Sequence, residues 1–138
     1  MDKKMISLRG FRGSEKPAVF GLKVSEVREW LFIAGTVPRD NKNVVVGKRD
    51  IKKQIKKVFE NLEDILREGG TTFNDVVQMN VYLTDESFRT PYLEFAEGAF
   101  KDSPVAQTIL VVKGLHDPEV LIEIDGIACI SSKKELSI

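Results

Sequence analysis

The chain has 138 residues, long enough to bury a core without disulfides or a structural metal and short enough to be read as a single domain over residues 1–138. Hydrophobic residues make up 42% and charged residues 30%, which excludes a disordered chain, and 21 Lys+Arg balance 21 Asp+Glu, which removes the net field that draws proteins to nucleic acid or anionic membrane. The single cysteine, Cys129, excludes an intrachain disulfide and a cysteine-rich zinc site.

The charged start MDKKMISLRGFRG is not followed by an apolar stretch of signal-peptide length, and nothing approaches the roughly 20 apolar residues of a membrane span, so a cytoplasmic location is expected. The run Trp30-Leu31-Phe32-Ile33-Ala34, ended by Gly35, predicts a strand buried on both faces. Pro38 to Asn43 is a turn cluster, and Val44-Val45-Val46 is expected to pair back as a hairpin arm. A helix follows. Asp50 can cap it, Ile51, Ile55, Val58, Phe59, Leu62, Ile65 and Leu66 form one apolar stripe, and Gly69-Gly70 ends it.

Val76 to Leu83 alternates, with Val77, Met79, Val81 and Leu83 on one face and Val76, Gln78, Asn80 and Tyr82 on the other. A second helix can begin at Thr90-Pro91, or earlier near Glu86, with Phe88, Tyr92, Phe95, Ala96, Ala99 and Phe100 as its apolar side. Two strands close the pattern, about 107–113 and 119–130, joined by Gly114-Leu115-His116-Asp117-Pro118. In the last strand Val120, Ile122, Ile124, Gly126, Ala128 and Ile130 belong under the helices, while Leu121, Glu123, Asp125, Ile127 and Cys129 point the other way. The order predicts an α+β fold, a mixed β-sheet with two helices on one face. The other face, with its mixture of carboxylates and apolar groups, reads either as plain solvent-exposed surface or as a surface buried between subunits.

Five segments in this order, LFIAGTVPRD, DIKKQIKKVFENLEDILREGG, DVVQMNVYLTD, SFRTPYLEFAEGAF and EVLIEIDGIA, resemble the Rid proteins (reactive intermediate deaminases, the YjgF or endoribonuclease L-PSP family) from about Trp30 to Ile130. The resemblance implies a chorismate-mutase-like fold and a homotrimer with a ligand pocket at each subunit interface. It also implies hydrolysis of 2-imino or 2-enamino acids to 2-keto acids and ammonia, without cofactor or metal. In active members an arginine at the start of the penultimate strand grips the substrate carboxylate, and a glutamate on the last strand positions water. That glutamate falls on Glu123, and the arginine falls on Gln107. The glycine of the family's Ser-Gly turn matches Gly35, its serine is Ala34, and the asparagine usual in the second helix matches Tyr92. The tyrosine of the N-terminal GPYS-type motif has no counterpart near Phe20-Gly21.

An amide at 107 can still donate to a carboxylate but cannot make arginine's charge-assisted bidentate pair. The exchange should weaken anchoring by about 1–2 kcal/mol, roughly ten- to thirtyfold. It also leaves Glu123 facing an anionic substrate with no compensating cation, so hydrolysis is expected to be weak, altered or lost. Arg9, Arg12, Arg28 and Arg39 are candidates to stand in for the missing charge. Alternatively Gln107, Thr108, Glu123 and Tyr92 bind a neutral or amide-bearing metabolite, and the protein is a non-catalytic binding or interaction module.

Asp125 lies two residues from Glu123 and reads as a subunit or solvent contact. His116 reads as a surface residue with no metal set around it, and Cys129 as a small buried hydrophobe. Lys48, Arg49, Lys52, Lys53, Lys56 and Lys57 raise RNA binding or cleavage as a distant alternative. They lack interleaved aromatics and an acid–base pair, and Lys56–Glu60 and Glu63–Arg67 are spaced to offset part of the charge.

Overall fold

The computed structural model describes residues 2–8 and 19–131. Its strands are β1 (Asp2–Ile6), β2 (Gly21–Ser25), β3 (Val27–Thr36), β4 (Val76–Leu83), β5 (Ala106–Val111) and β6 (Ile122–Ser131), and its helices are α1 (Ile51–Glu68) and α2 (Arg89–Ala99). A four-stranded sheet has the order β3-β6-β4-β5. Both neighbours of β6 run antiparallel to it, while β4 and β5 are parallel and joined through α2, as a crossover requires. This is the α+β mixed sheet expected from the element order.

The helix α1 forms where its stripe and punctuation place it. Lys53 N–H donates to Asp50 Oδ1 at 3.1 Å, and the chain leaves the helix through Gly69 and then Gly70, whose φ of 76° suits a residue without Cβ. Ile55, Val58, Leu62 and Leu66 are buried against the sheet with Ile122, Ile124, Val81 and Leu83. Gln54, unremarkable in the sequence pattern, is fully buried on this face. Its Nε2 donates to Gly47 O at 3.1 Å and Glu119 O at 2.8 Å, and its Oε1 accepts from Leu121 N–H at 2.8 Å. The amide thus ties the helix start to the segment entering β6, and leaves no polar group unmatched.

Several local expectations are corrected. The strand through Trp30–Ala34 is not buried on both faces: Ile33 is in the core, whereas Trp30 is 53% and Phe32 72% exposed, because both helices lie on the same side of the sheet. A register shift between Val76 and Gln78 turns Val76 inward opposite Ala128, so Val76 and Val77 are both buried. The arm at Val44–Val46 is reduced to one antiparallel bridge, Arg39 with Val45. Of the two starts expected for the α2 region the earlier one holds, in a 3₁₀ turn at Glu86–Phe88 capped by Asp85, whose Oδ1 accepts from Ser87 N–H at 2.9 Å. Strand β6 starts at Ile122 rather than 119, since Val120 N–H closes a turn on Asp117 O.

The β1–β2 ribbon had no counterpart in the sequence reading. It is fastened by Lys3, whose Nζ donates to Asn74 O at 2.5 Å, Ser103 Oγ at 2.6 Å and Val76 O at 3.1 Å, and burial there lowers the ammonium's pKa. Among the described residues no helix is long and apolar enough to cross a membrane.

Candidate functional site

The sheet face away from the helices carries Glu123. A register shift between Ile33 and Thr36 brings Gly35 of β3 against β6, and a Cβ on residue 35 would stand 2.6 Å from Glu123 Oε2 and 3.0 Å from its Cδ. Only glycine leaves room for the carboxylate there. Tyr82 is the cross-strand partner of Glu123, and Asn80 that of Asp125. Asn80 Nδ2 donates to Asp125 Oδ1 at 2.8 Å, and Tyr82 OH donates to Asp125 Oδ2 at 2.9 Å. That bond pushes the Tyr82 phenol above its ordinary pKa, with some desolvation added. The two neighbouring carboxylates therefore differ in kind. Asp125 has both oxygens engaged, whereas Glu123 lies on the floor of the open face beside a glycine.

Gln107 lies on the other side. It is in register with the buried Met79, so it faces the helices, and the Tyr92 hydroxyl, itself buried under α2, donates to Gln107 Oε1 at 2.5 Å. Burial raises the Tyr92 phenol far above its usual range, so it is a permanent donor and fixes the amide with Nε2 left to donate. Gln107 lines a groove of about 610 Å³ between α2 and the edge strand β5, together with Leu93, Ala96, Phe100, Pro104 and Val105. Thr108, one residue on, is in register with Asn80 and is exposed on the Glu123 side.

The five candidate residues thus form two groups on opposite faces. Gly35 and Glu123 touch and share their face with Thr108, while Gln107 and Tyr92 touch and share the groove; one chain does not gather them into one cavity. Of the candidate cations, Arg39 is committed to Asp117 at 2.8 Å and Arg28 lies 3.9 Å from Glu29; Arg9 and Arg12 fall outside the described residues. Asp117 is held below the usual carboxylate range by the Glu119 N–H first and by Arg39 second. His116 is exposed, and among the described residues no three His, Cys, Asp or Glu groups converge as metal ligands do. Cys129 is buried and its thiol pushed up by desolvation, which opposes the thiolate a nucleophile needs. The lysine-rich segment carries ion pairs at Lys48–Glu119 (3.4 Å) and Lys57–Glu60 (3.8 Å); Arg67 pairs with Asp64, so the pairs within α1 have i,i+3 rather than the expected i,i+4 spacing.

The bracket of Asn80 and Tyr82 around Asp125 is what sequence reasoning missed. Its signal was present in the period-2 placement of Asn80 and Tyr82, but the register that sets them opposite Asp125 and Glu123 was not.

Comparison with known proteins supplies the context. The profile of the family described as endoribonuclease L-PSP matches residues 18–130. A RutC family protein of Pyrococcus abyssi is 38% identical over 103 residues, 75% of this chain and 80% of that protein, and one of Saccharolobus solfataricus is 37% identical over 109 residues, 78% and 82%. Among solved structures, a protein of unknown function of the conserved Rid family from Yersinia pestis superposes with a TM-score of 0.83 at 25% identity, covering 94% of this chain and all of that one. RidA from an Antarctic Psychrobacter gives 0.68 at 28% identity, covering 83% and 93%.

Proposed function

The chain belongs to the endoribonuclease L-PSP family, the Rid family, and on that premise we propose that it is a homotrimer whose inter-subunit clefts bind a small metabolite, with imine and enamine hydrolysis reduced by the presence of Gln107. The observation that carries this reading is the division of the candidate residues between two faces of one sheet. A ligand that meets both Glu123 and Gln107 needs two chains. The Gln107 groove opens at the edge strand β5, where the open face of a second copy can be set against it. That face carries the apolar cover an interface uses, Trp30 stacked on Phe32 with ring centres 6.4 Å apart.

In such a cleft Glu123 orients water toward the C2 carbon of a 2-imino acid. The water oxygen bonds to carbon as the C=N electron pair moves to nitrogen, and the carboxylate carries one proton from that oxygen to the nitrogen, giving a carbinolamine. As the C–N bond then breaks, the oxygen closes the C=O bond and its remaining proton passes to nitrogen, leaving ammonia and a 2-keto acid. The step needs the acid group held still, and an amide holds it less well than a guanidinium.

An amino-acid oxidase that generates 2-imino acids, coupled to keto-acid detection, tests the reading. Gln107→Arg is expected to raise kcat/KM about tenfold or more, Glu123→Gln to remove the remainder, and light scattering to give the mass of three chains. A monomer, or a Gln107→Arg variant no faster than the parent, overturns it. Metabolite binding without turnover in either protein would make it a non-catalytic binding module.

A further inference from the structure

Among the described residues, the groove that holds Gln107 carries its charge at the rim. Glu97 and Lys101, opposite in sign, are exposed, whereas Ala96 and Val105 are buried and Phe100 is half-buried along the wall. Two uncharged polar side chains belong to that wall. Ser103 is committed: its hydroxyl accepts from Lys3 Nζ at 2.6 Å and donates to Asn74 O at 3.1 Å. Gln107 is only half committed. Its Oε1 accepts from the Tyr92 hydroxyl at 2.5 Å, while among the described residues nothing accepts from its Nε2, which is open to the groove rather than buried. The direction of the Tyr92 bond follows from burial. Tyr92 has no exposed surface, and among the described residues Gln107 is its one hydrogen-bond partner. An amide turned the other way, with Nε2 toward the phenol, would leave the phenol hydrogen buried without an acceptor. Tyr92 therefore keeps the amide oxygen to itself and lets the groove see a donor alone.

We propose that Tyr92 is a specificity-determining residue that turns this groove to uncharged carbonyl compounds, an amide, lactam or ester oxygen accepting from Gln107 Nε2 and an apolar chain lying on Leu93 and Phe100. The inference rests on the reading of the Gln107 cleft as the ligand site and gives that ligand its chemical class. A carboxylate entering the groove gives up its water for one neutral donor, with no cation on the buried wall to offset its charge. A neutral carbonyl gives up far less and receives the same bond. The imine that suits this cleft is accordingly one whose neighbouring acid is masked as an amide or ester, and a free 2-imino acid is the poorer fit.

Calorimetric titration with 2-oxohexanoate, its methyl ester and 2-oxohexanamide tests the assignment. The parent protein is expected to bind the ester and the amide alike and the acid about tenfold more weakly. Gln107→Leu should bring both neutral compounds down by about tenfold, to the level of the acid. Tyr92→Phe keeps the ring packed and frees the amide to turn. The ester, which can only accept, should then weaken about threefold, while 2-oxohexanamide, which can donate as well as accept, should hold its affinity. A parent that binds none of the compounds, does not discriminate among them or prefers the acid overturns the assignment. So does an equal loss of ester and amide in Tyr92→Phe, which marks a packing role. Should Tyr92→Phe fail to fold, the side-chain amide protons of Gln107 in the parent decide by NMR: the ester is expected to shift them downfield, and protons that do not move overturn the assignment. A monomer, or a Gln107→Arg variant no faster than the parent, tells against the functional reading; a trimer that prefers the acid to the ester tells against this inference alone.

Discussion

The two faces of the sheet are built from the same strands and end in opposite states. On the helix side Val81, Leu83, Ile122, Ile124 and Ala128 have no exposed surface, and the one amide among the buried groups there, Gln54, is matched at both ends. On the far side Trp30 and Phe32 lie open beside a matched Asp125 and beside Glu123. Strand alternation gives each strand two faces, but two helices can cover only one of them. The first face is finished by the chain itself. The second exposes aromatic area worth about 25 cal/mol per Å² if buried, which is a drive toward association rather than toward folding.

The contrast can be broken most forcefully at the centre of the finished face. Ile124→Ala removes a fully buried side chain and should cost about 2–5 kcal/mol in denaturant unfolding, at every protein concentration. Phe32→Ala on the open face should show a cost that depends on protein concentration, because in the proposed trimer what it loses is association. A concentration-independent loss at Phe32 would mean that the open face belongs to the fold after all.

Gly35→Ala sharpens the same contrast within the open face. The added methyl displaces the Glu123 carboxylate, the far end of a flexible side chain, so stability should stay within about 1 kcal/mol of the parent. Any residual hydrolysis in the coupled assay should fall about tenfold, since the displaced group is the one proposed to orient water. An equal loss of stability and activity would show that Gly35 serves the backbone alone.

How far the sequence could lead follows from the range of each interaction. Helix α1 was legible because its stripe, Asp50 and Gly69-Gly70 act over a few residues, and the face of Ile122, Ile124 and Ala128 was legible from alternation alone. The β1–β2 ribbon was not, because what fastens it is Lys3 reaching residues 71 to 100 positions away. Gly35 and Glu123 were found through a family resemblance, and the structure puts them in contact. Gln107 and Thr108 were placed in one ligand site, yet as neighbours in a strand they point to opposite faces. The buried Nε of Arg89, which has no hydrogen-bond partner among the described residues, carried no sequence signal, since nothing in a linear pattern tells a matched nitrogen from an unmatched one.

The smallest effects lie in the titration of groups that each face has or has not enclosed. Tyr82 keeps its proton more tightly than a free phenol because Asp125 accepts it, so the contribution of that bond is complete below the ordinary value of 10.0 and is lost as pH rises through the raised folded value. Asp125→Asn should move the ultraviolet titration of Tyr82 down toward 10.0 and flatten the alkaline fall in stability. Asp117, at the turn before β6, works in the opposite sense: its lowered pKa gives stability that is present above the ordinary 3.8 and lost as pH falls through the folded value, and Asp117→Asn should flatten the acid limb instead. A mutant pair that flattens the same limb would show that the Asp125 bracket is not the source of the Tyr82 shift. Two separate limbs would tie the alkaline one to the open face, where Tyr82 stands beside Glu123 and a change in its charge is felt by any acid bound there.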